Sequence, residues 1–159
     1  MKIDKKDAMI LNLLQKNCRM SLTKISKEIN LSIDSTKKRI NKLLKNQIFY
    51  PRIQLRLRHL DFNNIVEVKI KMKNPSEEAM DNFIENLKAN PFVSEIFSIT
   101  GEWDLSIVIV SRDSKDLIKI STDIRQQNKD IINEWSETVT SRVHKFEMYD
   151  VVKLLSLED

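Results

Sequence analysis

The chain has 159 residues, with 27 Lys and Arg against 23 Asp and Glu (a net charge of +4 at pH 7) and a hydrophobic fraction of 41%. This is enough apolar material for one medium domain or two small ones, and no apolar run approaches the ~18 residues of a membrane span. The charged start "MKIDKKDAMI" does not resemble a signal peptide, and the single Cys18 excludes an internal disulfide and any zinc cluster of cysteines. We therefore expect a cytoplasmic protein without a metal or a membrane partner.

The positive charge is concentrated in the first part of the chain. Residues 1–60 carry 15 Lys and Arg against 4 Asp and Glu, whereas residues 61–159 carry 12 against 19. A division of this kind predicts two domains, the first of which faces a polyanion. A solvated basic surface would give the same count, so the motifs must distinguish the two.

The basic half predicts three helices in a domain of residues 1–50. Asp4 precedes the first helix, Ser21 opens the second, and Ser32 is a suitable N-cap for the third. The second and third helices are separated only by a tight turn, which is typical of a helix-turn-helix motif at about residues 20–39. In this motif the last helix enters the major groove of DNA.

Hydroxyl and basic side chains around this motif are the candidates for DNA contacts, because they can bond base edges and phosphates. We predict contacts from Ser21, Thr23, Ser32, Ser35, Thr36, Lys37, Lys38, Arg39, Lys42 and Arg52. Asp34 is unfavourable beside DNA unless it caps the helix or accepts a bond from a cytosine amino group. The alternative interpretation of the same residues is an ordinary surface of lysines.

The stretch "PRIQLRLRHL" at residues 51–60 alternates apolar and polar side chains. A period of two predicts a strand with one apolar and one basic face. We expect it to form a linker of residues 51–62 between the domains, with its arginines free for phosphate contacts.

The acidic half predicts an α+β domain at residues 63–159. Alternating and helical patterns follow in the order strand, helix, strand, strand, helix, strand, at 65–73, 75–91, 93–100, 104–112, 114–128 and 134–146. This order defines a ferredoxin-like βαββαβ unit, with both helices on one face of an antiparallel sheet. The third of its strands is apolar on both sides, so we expect a second copy to cover the other face.

At this point the chain resembles the Lrp/AsnC (feast/famine) transcription regulators over essentially its full length. The resemblance is carried by the D-x-x-D helix start, the "LS" before the third helix, the "R-I-x-x-L" within it, and "TGEWDL" at 100–105. It implies DNA binding by the first domain, sensing of a free amino acid by the second, and homodimers that assemble into tetramers or octamers.

Glycine is almost absent from this chain. Average composition would give about eleven glycines, whereas Gly101 is the only one. Members of the family usually place glycine where this chain has Asn17, Asn30 and Asn46, and asparagine tolerates the left-handed conformation best after glycine. Gly101 is therefore needed either for a turn closed even to asparagine or for close approach of a ligand or a neighbouring subunit.

The resemblance implies an effector pocket beside this glycine, at a dimer–dimer interface. The candidate residues are Ser98, Thr100, Gly101, Glu102, Trp103, Asp104, Ser121 and Thr122. Asp104 would hold the ammonium of an amino acid, and main-chain amides from Gly101 to Trp103 would meet its carboxylate. Alternatively, Asp104 caps its own loop and Trp103 packs between dimers.

An enzyme is the other class of function. Sirohaem decarboxylases resemble this family, but their chemistry needs histidine or arginine in the pocket, and this chain has only His59 and His144. The sequence shows no nucleophile–base pair, phosphate loop or spacing of metal ligands. A DNA-binding regulator without enzymatic activity is therefore the favoured prediction.

Overall fold

The computed structural model describes residues 1–157, which form two compact units. Unit 1 contains the chain up to Leu55 together with the residues from His144 onward, and unit 2 runs from Arg56 to Val143. Within the described residues, every helix is too short or too polar to cross a membrane.

Unit 1 is built on three helices, α1 (Lys5–Lys16), α2 (Leu22–Glu28) and α3 (Ile33–Lys45). Each begins at the N-cap that the sequence predicts, because a side-chain oxygen accepts a bond from the backbone amide three residues later. At α1 the arrangement is reciprocal: the amide of Asp7 donates to Asp4 Oδ1 at 2.8 Å, and the Asp7 carboxylate accepts from the Asp4 amide.

The three helices enclose a small apolar core. Its buried members come from all three helices and are at most 8% exposed: Ile10, Leu11, Ile25, Ile29 and Leu43. The exposed faces of α2 and α3 point away from this core. In α3 the buried Leu43 lies on the opposite side of the helix from Lys38, Lys42 and Lys45.

The turns of unit 1 use asparagine less uniformly than we predicted. Asn30 has a φ of 53°, so it does replace glycine in the left-handed turn between α2 and α3. Asn17 and Asn46 have φ values of −154° and −90°, so the same prediction is wrong for them. After α3 it is the next residue, Gln47, that adopts φ 55°.

The predicted linker strand is absent from the single chain. Residues 51–56 are irregular, and Leu57–Leu60 form a short 3₁₀ helix. Ile53 and Leu55 are 79% and 61% exposed. An alternating segment becomes a strand only when its backbone finds a partner, and this segment has none among residues 1–157.

Unit 2 is a four-stranded antiparallel sheet with two helices. In chain order its elements are β1 (Asn64–Met72), α4 (Glu77–Ala89), β2 (Val93–Ser98), β3 (Leu105–Ser111), α5 (Ser114–Gln127) and β4 (Ile132–Val139). The spatial order β2-β3-β1-β4 is that of the predicted ferredoxin-like βαββαβ unit, which is therefore confirmed.

One face of this sheet forms the core of unit 2. Alternate residues of β1 and β3 are buried against Phe83 and Leu87 of α4 and against the apolar face of α5. The opposite face is more polar than we predicted. β3 contributes Val108 there, but β1 contributes Glu67 and Lys69, because successive strand residues point to opposite faces.

The last strand is shorter than predicted. β4 ends at Val139 rather than at 146, and the chain continues irregularly to a one-turn helix, α6 (Val151–Leu154). We expected the second domain to extend to residue 159, whereas the structure groups the residues from His144 onward with unit 1.

Candidate nucleic-acid interface and effector loop

The outward face of α3 is a strip of exposed polar and basic side chains. It consists of Lys38, Asn41, Lys42 and Lys45, spaced at three and four residues so that they share one side of the helix. Leu43, on the opposite side, is completely buried and fixes the rotation of the helix. The strip is therefore presented by a helix whose orientation is set by the core.

The start of α3 is organised by its N-cap. Ser32 Oγ accepts the amide of Ser35 at 3.1 Å and donates to Ser35 Oγ at 2.8 Å. Asp34 pairs with Lys38 at 2.8 Å, and both side chains are more than 70% exposed. Asp34 thus lies beside a lysine one turn later, which offsets the negative charge that was unfavourable for a DNA-facing helix.

Two residues predicted to contact DNA, Thr36 and Arg39, instead bind other residues of unit 1. Thr36 is completely buried, and its hydroxyl donates to the Ser32 carbonyl at 2.9 Å, so the predicted contact is not available to it. One nitrogen of Arg39, Nη1, lies 2.7 Å from carboxylate oxygens of both Asp4 and Asp7. Arg39 therefore ties α3 to the start of α1.

The charges of this cluster stabilise each other. Burial opposes ionisation of Asp4, but the backbone amide of Asp7 and the Arg39 guanidinium outweigh it and hold the pKa of Asp4 below its ordinary value. The hydrogen bonds that Arg39 donates to both carboxylates raise its pKa. The D-x-x-D start of α1 is the sequence signal that could have identified Arg39 as a structural residue.

The remaining candidates lie at the surface. Ser21 caps α2 through the amide of Lys24 at 3.3 Å, and Thr23 is exposed. The guanidinium of Arg52 lies over the ring of Tyr50, 5.1 Å from its centre. These positions, like Lys37, Lys38 and Lys42, remain predicted DNA contacts.

In unit 2, the loop between β2 and β3 carries most of the predicted effector residues. The amide of Ile99 donates to the Asp104 carbonyl at 3.0 Å, which closes the loop. Thr100 and Glu102 are exposed at its tip, and Ser98 is exposed at the end of β2. Gly101 has a φ of +131°, and a Cβ built on it would meet nothing within 4 Å. In the single chain the glycine is therefore explained by its conformation, which lies beyond the left-handed region that asparagine adopts.

Asp104 anchors the loop to the neighbouring strand. Its Oδ2 accepts the amide of Met72 at 2.8 Å and its Oδ1 lies 3.1 Å from Lys71 Nζ. The Met72 amide lowers the pKa of Asp104, burial opposes this, and Lys71 lowers it further. The alternative that Asp104 caps the loop through its own backbone agrees with the bond from the Ile99 amide to the Asp104 carbonyl. The Asp104 side chain, in contrast, binds the end of β1.

The two predicted effector residues on α5 are placed differently from the loop. Ser121 is 2% exposed, and its hydroxyl has no hydrogen-bond partner within residues 1–157. Thr122 borders a shallow depression of about 240 Å³ with Arg125, Gln126 and Lys129. The larger cavity, about 500 Å³ between α4 and α5, is lined by none of the predicted effector residues.

Comparison with known proteins fits this two-part architecture. Residues 3–44 match the AsnC-type helix-turn-helix domain, and residues 65–146 match the Lrp/AsnC ligand binding domain. The chain is 32% identical over 124 residues to the HTH-type transcriptional regulator LysM of Sulfurisphaera tokodaii, a match covering 77% of this chain and 85% of that protein. It is 28% identical to LrpA of Pyrococcus horikoshii, over 74% and 82% of the two chains.

Solved structures show the same fold. A transcriptional regulator from Neisseria meningitidis, in complex with L-Met, superposes with a TM-score of 0.83 at 20% identity, over 91% of this chain and 94% of that one. Escherichia coli AsnC gives 0.83 at 19% identity, over 94% and 99%.

A helix-turn-helix unit joined to a ferredoxin-like ligand-binding unit defines a two-domain transcriptional regulator. The chain belongs to the Lrp/AsnC family. Its relatives are transcriptional regulators, so the prediction that it is not an enzyme is confirmed.

Proposed function

We propose that this regulator binds operator DNA through α3 and that an amino acid bound at the β2–β3 loop changes its assembly or its DNA binding. The observation that carries the DNA half is the exposed strip of α3, with Lys38 and Lys42 one turn apart on a helix held by the buried Leu43. Lysines in this arrangement contact phosphates and release counterions from DNA.

A gel mobility-shift assay tests the proposed DNA binding, with DNA from the region upstream of the gene that encodes this protein. Lys38→Ala with Lys42→Ala should weaken binding and reduce the salt dependence of the binding constant by about two phosphate contacts. Lys115→Ala with Lys119→Ala is the matched control, because it removes the same charge at the same spacing from exposed positions of α5 in unit 2. Equal effects of the two pairs would refute the assignment of α3.

The assembly half rests on the uncovered face of the sheet. Phe97 is 50% exposed there, and Val108 lies on the same face as Glu67 and Lys69. A second copy placed sheet to sheet would cover this surface, and two recognition helices fixed by one interface should protect DNA at intervals of about 34 Å. Sedimentation at micromolar concentration tests the dimer, and a monomer would refute it.

The effector half rests on the tip of the loop, where Thr100, Gly101 and Glu102 are exposed and Gly101 has no side chain to cover the main chain. The pattern fits a free amino acid, and the Neisseria relative of the same fold was solved with L-Met. A thermal-shift screen of the twenty amino acids tests it, since a ligand of the native state raises the melting temperature by mass action. If none of them shifts the melting temperature, the effector proposal fails.

A further inference from the structure

The residues after Met148 form a segment that is bound to α1 by side-chain amides. We call residues 149–157 the strap. Gln15 Nε2 donates to the carbonyl of Tyr149 at 3.0 Å, and Gln15 Oε1 accepts the amide of Tyr149 at 3.0 Å. One side chain thus binds both main-chain groups of one strap residue, as a neighbouring strand would do.

Asn12, one turn earlier on α1, binds the next residues of the strap. Its Oδ1 accepts the amide of Val151 at 2.8 Å, and its Nδ2 donates to the Asp150 carboxylate at 2.9 Å. The bond from Asn12, followed by the Lys153 and Val152 amides, holds the pKa of Asp150 below its ordinary value. Because three of these four bonds are made to main-chain groups, they select the position of the strap along α1.

The attachment is small. Val151 is the one strap residue that packs on the core of unit 1, and it is only partly buried. Leu154 and Leu155 remain 68% and 44% exposed. A contact of four side-chain bonds and one apolar group would be weak between separate molecules, and here it is sustained by the high effective concentration of a tethered segment. Release of the strap would therefore be opposed by these few contacts alone.

The strap follows the second of the two places where the chain passes between the units, at Val143 and His144. The chain enters unit 2 at Arg56 and leaves it at Val143, and Arg58 donates to the carbonyls of Thr140 and Ser141 at 3.1 Å, so entry and exit are tied together inside unit 2. Both family matches leave the strap out, since they end at residues 44 and 146.

Helix α1 carries contacts at both of its ends. Asn12 and Gln15 hold the strap, while Asp7 and the preceding Asp4 hold Arg39 of α3. The strap and the helix assigned to DNA are therefore attached to one rigid element through named side chains. We infer that the strap is a coupling element, through which the state of β4 in unit 2 biases the position of α1 and α3; this rests on the proposed function of α3.

The docking step is tested on the full chain by amide hydrogen exchange. Asn12→Ala with Gln15→Ala should make the amides of Tyr149 and Val151 exchange at least tenfold faster, because their acceptors are removed. Alanine favours the helix, so α1 should keep its protection. Lys16→Ala, at an exposed position of the same helix, is the control and should change nothing. Val151→Ser weakens the same contact from the strap and should reproduce the effect.

The coupling step uses DNA as the probe, since coupling between two sites is reciprocal. The probe is a DNA duplex from the region upstream of the gene that encodes this protein. When it is added to the unaltered protein, it should change the exchange rate of the Thr140 amide, which donates to the carbonyl of Ile65 in unit 2. In the Asn12/Gln15 variant the duplex should still bind, but this change should disappear. The Lys16→Ala control should retain it.

Three results would overturn the inference. Unchanged exchange of Val151 in the double variant would show that the amides do not hold the strap. A DNA-induced change at Thr140 that survives release of the strap would show that coupling runs elsewhere. If the unaltered protein binds no DNA, the proposed function fails and the coupling fails with it, and this is distinguishable because docking is measured without DNA.

Discussion

The cluster of Arg39 with Asp4 and Asp7 gives the sharpest test of how unit 1 is held together. Arg39→Met keeps the apolar stem of the side chain and removes its charge. Asp7 is 5% exposed, so it would be left as a buried carboxylate without its cation. We expect the variant to have a lower free energy of unfolding, because α3 is then held less firmly against α1.

The magnitude follows from the exposure of each partner. A hydrogen bond to a buried charged group contributes about 1.5–3 kcal/mol, which applies to Asp7. Asp4 is 53% exposed, and a solvent-exposed ion pair adds at most about 1 kcal/mol. Because Arg39 is itself 31% exposed, we place the total at about 2–3 kcal/mol.

Amide exchange is the suitable assay, because the chain has two units and a single melting temperature would mix them. The Leu43 amide of α3 should exchange roughly 30- to 150-fold faster in the variant, since about 1.4 kcal/mol is tenfold. Ile107, in the core of unit 2, is the internal control and should be unchanged.

A double-mutant cycle with Asp7→Asn completes the test. If Arg39 compensates the buried charge of Asp7, the double variant should lose clearly less free energy of unfolding than the two single variants lose together. Additive losses, or a loss for Arg39→Met below about 0.5 kcal/mol, would refute the reasoning.

The same cluster predicts a dependence on pH. The pKa of Asp4 is lowered in the folded chain, so its contribution is present above the unfolded value of 3.8 and is lost as the pH falls through the lower folded value. The stability of unit 1 should therefore decline below about pH 4, and Arg39→Met should decline less over that range.

Three further predictions concern unit 2. Gly101→Ala and Gly101→Asn should each cost roughly 1–2 kcal/mol, measured by amide exchange at Ile107, because the penalty is conformational and an added Cβ meets nothing; a much larger loss for asparagine would contradict this. Asp104→Ala leaves the Met72 amide without its acceptor and should cost about 1–2 kcal/mol, even without an effector present; no loss in urea unfolding would disprove the anchoring role. Ser121→Ala removes a buried hydroxyl that has no hydrogen-bond partner in the described part of the chain. Denaturant unfolding should therefore show stability unchanged or raised by up to about 1 kcal/mol, and a loss would contradict this.

Local patterns predicted the fold well because its determinants are local. The N-caps Asp4, Ser21 and Ser32 each act within three residues. The alternation in β1 follows from burial on one face, whereas the nearly continuous apolar run of β3 follows from burial on both faces. The prediction of a strand in the linker was wrong because a strand needs a partner backbone, and the sequence pattern of residues 51–60 does not show whether one is present. The end of the chain failed because the strap is selected by Asn12 and Gln15, about 135 residues away.

The candidate site was predictable only by residue type. Hydroxyl and basic side chains were correctly placed on α2 and α3, but the sequence could not separate Thr36 and Arg39 from the exposed residues beside them. That separation depends on which side of the helix meets the core and on the distant Asp4 and Asp7. Likewise, Asp104 was identified as a residue with a role, while its partners at Lys71 and Met72 follow from the register of β1 and β3.

The scarcity of glycine has a consequence for the unfolded chain. Six residues other than glycine have positive φ in the described structure, among them Gln47, Asp61 and Glu147. Each carries a conformational cost of about 1 kcal/mol in the native state, but each also leaves the unfolded chain with fewer accessible conformations than glycine would. The two effects oppose each other, so the chain accepts local strain while losing less entropy when it folds. Introducing glycine at these turns would relieve the strain of the native backbone. The same substitution would raise the conformational entropy of the unfolded chain.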